Sequence, residues 1–221
     1  MQVLRHTFAA GGVAIVAAVA GCGAATSQVR PSDTAAPPRI VALGDSLTSG
    51  HGIGRDQAWP AVVQGYLRRE GLPHVMVNAG VSGDTSAGAL RRLDAALEDG
   101  AQVLVLAIGA NDGLRGVAVA EMRRNIGAIV TEARRRGVTV LLCGMEAPPI
   151  GGVGYTVAFH HAFLELAAEH EVPLVPFFIS GVFGRQEFLL PDFLHPNAAG
   201  ARVIADTIWP SLRPLAAATV T

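Results

Sequence analysis

Ile40-Val41-Ala42-Leu43-Gly44-Asp45-Ser46-Leu47 is the stretch that decides how this chain folds. Four consecutive apolar residues stopped by glycine make a short run without alternation, the pattern of a strand covered on both faces. Behind it, Asp45 and Ser46 place polar groups at the strand's carboxyl end, where Gly44 permits a sharp turn. A serine there is well placed as a nucleophile. Thr48 stands where a G-x-S-x-G elbow would need its second glycine, so this is not that motif. Taken alone, Ser46 reads equally well as the cap of a following helix.

Working outward, strand-like and helix-like segments alternate. Ala58 to Glu70 carries Ala58, Val62, Val63 and Leu67 at helical spacing, with Gly71 as its stop. Val75-Met76-Val77 predicts a second strand, and Thr85 to Leu97 a second helix on Leu90, Leu93 and Leu97. Val103 to Ile108 predicts a strand buried on both faces. Val117 to Arg136 predicts the longest helix, its basic last turn complementing the dipole. Val138 to Leu142 gives a strand, Thr156 to His170 a helix, and Leu174-Val175 a short fifth strand. The last helix is expected over Ala198 to Leu212, opened by Pro196. Alternation over five strands predicts an α/β fold, a three-layer α/β/α sandwich with a five-stranded parallel sheet. Ligands of such sheets sit beyond the strands' carboxyl ends.

The flanks carry no such pattern. After Arg5 and His6, Phe8 to Gly21 is an uncharged run of fourteen residues. As a helix it would cover about 21 Å, short of a hydrocarbon core of about 30 Å, so it fits a signal peptide better than a membrane anchor. Val19-Ala20-Gly21-Cys22 resembles the bacterial lipobox, which implies a lipid on Cys22 after cleavage. An ordinary secretory signal and a buried helix are the rival readings. Residues 22–38 are rich in Ala, Thr, Ser and Pro and read as a flexible tether. The expected organisation is therefore a signal over 1–21, a tether over 22–38, one domain over 39–214 and a poorly ordered tail over 215–221.

Composition narrows the function. Of 221 residues half are apolar, enough for a core, and 17 basic against 18 acidic residues leave a net charge of −1. That balance argues against nucleic acid as a partner. Every basic residue is arginine, so no lysine can be nucleophile or base. Two cysteines, Cys22 and Cys143, are too few for a disulfide scaffold or a cysteine metal site.

Four polar blocks follow the strands. Gly44-Asp45-Ser46-Leu47 follows the first, and Ser82-Gly83-Asp84-Thr85 the second, where glycine lets backbone N–H groups approach a ligand. Neither G-x-x-x-x-G-K-[ST] nor G-x-G-x-x-G is present, which argues against a phosphate cradle. Gly109-Ala110-Asn111-Asp112-Gly113 follows the third strand and offers neutral amide donors suited to an oxyanion. In Asp192-Phe193-Leu194-His195-Pro196, a histidine and a carboxylate three residues apart can face each other on one loop. Each block also has a bland reading as a turn or cap. His160, His161 and His170 read as ordinary helix residues, and no metal-ligand cluster stands out.

In this order and at these strand ends, the four blocks resemble the GDSL/SGNH hydrolase superfamily, whose sheet is flavodoxin-like. Trp59-Pro60-Ala61, Asn111-Asp112-Gly113-Leu114-Arg115-Gly116 and Val172-Pro173-Leu174-Val175-Pro176-Phe177-Phe178 resemble its bacterial thioesterase/lysophospholipase/arylesterase branch. The resemblance implies Ser46 as nucleophile, His195 as acid–base and Asp192 as its orienting partner. It implies an oxyanion hole of the Ser46 and Gly83 N–H groups with the Asn111 side chain. The expected activity is hydrolysis of acyl or aryl esters, thioesters or lysophospholipids through an acyl-serine, with no metal or organic cofactor. A carbohydrate acetylesterase and a non-catalytic lipid-anchored binding protein are the alternatives. Ala147 to Tyr155 would border the site as a candidate mobile lid, with Pro148, Ile150 and Tyr155 toward substrate. The expected partners are a small-molecule or lipid ester and a membrane reached through Cys22. A monomer is expected, exported and facing the periplasm or cell exterior.

Overall fold

Buried apolar runs dictate the sheet. In the computed structural model, which describes residues 36–220 except Asp99, five strands pair in parallel in the order β2-β1-β3-β4-β5. They are β1 (Arg39–Gly44), β2 (Val75–Gly80), β3 (Ala101–Ala107), β4 (Thr139–Cys143) and β5 (Leu174–Val175). Ile40 to Leu43 and Val103 to Leu106 are completely buried, as strands covered on both faces must be. The expected signal segment, Cys22 and residues 22–35 of the tether lie outside the described residues.

Eight helices cover the sheet among the described residues: α1 (Ser46–Ser49), α2 (Trp59–Arg69), α3 (Ser86–Arg91), α4 (Leu93–Ala96), α5 (Ala110–Arg115), α6 (Val119–Arg135), α7 (Gly152–Glu169) and α8 (Ala198–Ala218). α2 packs on α8, while α6 packs between α3 and α7, giving a layer on each side. The expected three-layer sandwich is the observed fold.

Register places the site. Gly44 lies opposite Gly80 on one side and Ala107 on the other, so the segments leaving β1, β2 and β3 emerge at one level. The chain goes from β1 outward to β2 and then crosses to β3, so strand order reverses beside β1. The carboxyl ends on either side of that reversal open a crevice.

Three local expectations are corrected. The helix expected over Thr85 to Leu97 is two, because the backbone leaves helical geometry at Arg92 (φ −105°, ψ 11°), whose side chain reaches back to the strand ends. Pro196 does not open the last helix. Asn197 caps it instead, its side-chain oxygen accepting the N–H groups of Ala199 and Gly200. Nor does the domain stop at Pro214. α8 continues through Pro210 and Pro214 to Ala218, since Ile208, Leu212 and Ala216 form a buried stripe at i, i+4, i+8. That packing outweighs the two backbone donors proline lacks. Thr219 Oγ also meets the buried His74 Nε2 at 2.7 Å, which ties down the end.

Leu104 sits fully buried in the middle of β3. Leu104→Ala should lower unfolding stability by about 2–5 kcal/mol, read from the midpoint of urea denaturation. A loss below about 1 kcal/mol would contradict a close-packed central strand.

Candidate active site

Space at the end of β1 is limiting. A Cβ on Gly44 would lie 2.2 Å from the Thr48 Oγ1 and 2.5 Å from the Ala107 carbonyl, so only glycine fits. The next residue, Asp45, caps α1: its Oδ1 accepts the Leu47 N–H at 3.0 Å. This four-residue turn sets Ser46 at its first position. Asp45 is 1% exposed, and its Oδ2 has no partner among the described residues. Burial pushes its carboxyl up to about 7, with the charges of Asp84 and Asp112 adding to the effect.

The second and third blocks are tied to the first. Arg92 donates to the Asp84 carboxylate at 2.7 Å, to the Ala79 carbonyl at 2.6 Å and to the Gly44 carbonyl at 2.8 Å. Asn78 Nδ2 donates to the Thr48 carbonyl at 2.9 Å, joining the β2 end to α1. Asn111 lies in the first turn of α5, and its Nδ2 donates to the Asp84 carbonyl at 2.9 Å. Beside it, the buried Asp112 accepts the Ser86 N–H at 2.8 Å and the Ser86 hydroxyl at 2.6 Å. Burial raises the Asp112 pKa, and these two bonds counter the rise.

The fourth block closes the site from the far end of the chain. Asp192 Oδ1 accepts the backbone N–H groups of Leu194 and His195 at 2.9 and 3.0 Å, folding the loop into a tight turn with Phe193 at φ +56°. Its Oδ2 meets His195 Nδ1 at 2.7 Å, and His195 Nε2 lies 3.0 Å from Ser46 Oγ, 149 residues away in sequence. The His195 N–H, the imidazole and the Leu194 N–H together hold the Asp192 carboxyl well below the usual carboxylate range. A hydroxyl bonded to an imidazole that is itself oriented by a carboxylate can be deprotonated as it attacks an electrophile.

These residues open into a cleft of about 660 Å³, a size suited to a small organic ligand. Ser46, Gly83, Asn111 and His195 line it together with Pro148. Its remaining walls are mainly apolar, including Met145, Phe177, Ile179 and Leu189. Among the described residues, the N–H groups of Ser46 and Gly83 meet no protein acceptor, which leaves two backbone donors at the cleft.

Two expectations for the fourth-strand segment change. Pro149–Gly151 forms a 3₁₀ turn and α7 starts at Gly152, so the candidate lid is largely helical. Tyr155 does not face the cleft: its hydroxyl donates to the carbonyls of Val117 at 2.9 Å and Asp112 at 3.3 Å. The side chain of Ile150 lies outside the described residues. Sequence reasoning passed over Arg92, whose reach across two strands leaves no local signature, and His51, which lines the cleft with its ring tilted against that of His195. Cys143 is buried and free; burial pushes its thiol pKa up, so it is inert.

A parallel α/β sandwich with a serine–imidazole–carboxylate chain at its switch point defines a serine hydrolase. Residues 42–203 match the GDSL-like lipase/acylhydrolase family, and the chain belongs to it. It is 40% identical over 182 residues to the esterase TesA of Pseudomonas aeruginosa, covering 82% of this chain and 90% of that protein. Identity to the thioesterase 1/protease 1/lysophospholipase L1 of Escherichia coli K12 is 34%, over 82% of this chain and 86% of the relative. Among solved structures, the psychrotrophic esterase EstA of Pseudoalteromonas superposes with a TM-score of 0.76 at 33% identity, covering 80% of this chain and 97% of EstA.

Asp45 generates a pH prediction. A buried carboxyl whose folded pKa lies near 7, against 3.8 unfolded, favours the fold most below pH 4. That contribution is lost as pH rises through 7. Asp45→Asn, which keeps the cap acceptor, should remove this decline, worth of order a few kcal/mol between pH 4 and 8. Chemical denaturation at a series of pH values checks it; parallel profiles for the two proteins would refute it.

Proposed function

We propose that Ser46 is the nucleophile of this serine esterase, with His195 as its general base and acid and Asp192 as the group that orients the imidazole. The Ser46–His195–Asp192 hydrogen-bond chain at the mouth of an apolar cleft is the observation that carries the reading. Asp192 accepts from His195 Nδ1–H, which leaves Nε2 to accept the Ser46 proton. As Ser46 Oγ bonds to the acyl carbon, the carbonyl electron pair moves onto oxygen. The Ser46 and Gly83 N–H groups and the free amide hydrogen of Asn111 receive that oxygen. All three donors are neutral, so they favour the charge that develops only in the transition state. Protonated His195 then gives its proton to the departing alcohol or thiol. Water, deprotonated by His195, attacks the acyl-serine, and the acid product leaves with Ser46 protonated again.

The substrate is an acyl or aryl ester, with acyl thioesters and lysophospholipids in the same range. Two observations support this. The walls around Phe177, Ile179 and Leu189 suit a hydrocarbon better than a sugar, whose hydroxyls need polar partners. TesA is named an esterase, and the Escherichia coli relative a thioesterase and lysophospholipase. The protein acts as a monomer; it is exported and held at a membrane by lipid on Cys22, and the sequence of the first 38 residues supports the export and the anchor. Among the described residues no helix is long and apolar enough to cross a membrane.

With p-nitrophenyl esters of increasing chain length, the wild type should hydrolyse acyl esters in preference to acetylated sugars. Ser46→Ala should lower kcat by roughly 10⁴–10⁶-fold, and Asn111→Ala by about 10²–10³-fold with a smaller change in KM. Ser46→Ala turning over like wild type would sink the nucleophile assignment. Cys22→Ser should move the full chain from the membrane to the soluble fraction; unchanged fractionation would argue against the anchor.

A further inference from the structure

One imidazole at the site has no part in the hydrogen-bond chain. His51 follows α1 and lines the cleft, and its ring lies 4.3 Å from that of His195 at an interplanar angle of 38°. Its side chain makes no hydrogen bond among the described residues. One ligand atom each from His51, His195 and Asp192 lie within 4.8 Å of one another, a grouping unique among the described residues.

From this cluster we propose a reversible inhibitory site for a borderline divalent transition metal, zinc above all. Two imidazole nitrogens and one carboxylate oxygen are a donor set that zinc takes with a fourth position left to water. Bonds of about 2.0–2.2 Å in a tetrahedron hold ligand atoms roughly 3.3–3.5 Å apart. The ligand atoms therefore shift relative to one another by at most about 1.5 Å, the widest pair closing and the Asp192–His195 pair, 2.7 Å apart at Nδ1, opening slightly if that nitrogen is the ligand. His51 and Asp192 are exposed, so small rotations of surface side chains supply the movement. Magnesium and calcium are hard ions that select oxygen donors, and they would leave the site alone.

The consequence rests on His195 being the general base. Zinc occupies a His195 ring nitrogen that otherwise holds Asp192 or accepts the Ser46 proton. Either way the serine loses its activated partner, and removing the ion restores it. The metal takes no part in ester hydrolysis; it is a stop, built from one proposed catalytic pair and one neighbour.

Binding and inhibition test this separately. Titrating zinc chloride calorimetrically into full-length Ser46→Ala protein, which keeps both imidazoles, should show about one equivalent bound with displacement by EDTA. Adding His51→Ala should weaken that equivalent about tenfold or more, whereas His160→Ala, which removes the imidazole beside Glu146, should not. In p-nitrophenyl acetate hydrolysis, zinc should inhibit the wild type reversibly and magnesium should not. His51→Ala, normalised to its own zinc-free rate, should need about tenfold more zinc for the same inhibition. No bound zinc, or binding that follows His160 and ignores His51, overturns the site. Zinc bound at His51 without inhibition overturns the switch. Should the protein prove not to turn over esters at all, calorimetry still decides whether the site exists.

Discussion

The Arg92 guanidinium holds together the two strand ends on which the site is built. It is partly buried, with a side-chain exposure of 23% against 12% for Asp84, and it spreads its donors over that carboxylate and the carbonyls of Gly44 and Ala79. Charge-assisted bonds in such a setting are stronger and more directional than those of an exposed pair. Gly44 leads directly into Asp45 and Ser46, and Asp84 carries the carbonyl that accepts Asn111 Nδ2. One side chain thereby fixes the spacing between the hydroxyl and its surrounding donors. The same reach explains why the helix after β2 breaks where it does.

Two aspartates show how environment assigns different work to one residue type. Asp45 is buried with one oxygen unpaired, so its charge is disfavoured and its value as an ion is low. Its contribution is to cap and aim α1. Asp192 stands at the surface with two backbone N–H groups and an imidazole around it, so it stays ionised and can steady a developing imidazolium. The nearly neutral net charge fits a site whose proposed oxyanion donors are themselves neutral.

Legibility followed the range of the interactions. The strands were readable because burial on both faces writes continuous apolar runs such as Val103 to Ile108. The Asp192–His195 pair was readable because three residues on one loop can meet only in a few ways. Arg92 was not, since its partners lie 8, 13 and 48 positions away. The apolar neighbours of Tyr155 point it toward substrate, yet its hydroxyl reaches backbone carbonyls 38 and 43 residues back. The two prolines of α8 pointed to an earlier end than the one observed, because local propensity does not register the burial of Leu212 and Ala216.

By itself the sequence determined the α/β class, the strands in order and the residue types able to carry acyl transfer. Those properties depend on periodicity and on chemistry within a few positions. Only the tertiary structure decided that His195 Nε2 stands 3.0 Å from Ser46 Oγ, that the expected lid is mostly helix, and that His51 lies over the imidazole. The physical reason is parallel pairing. Its crossovers bring segments far apart in sequence to one edge of the sheet, and the contacts made there leave no local trace in the chain.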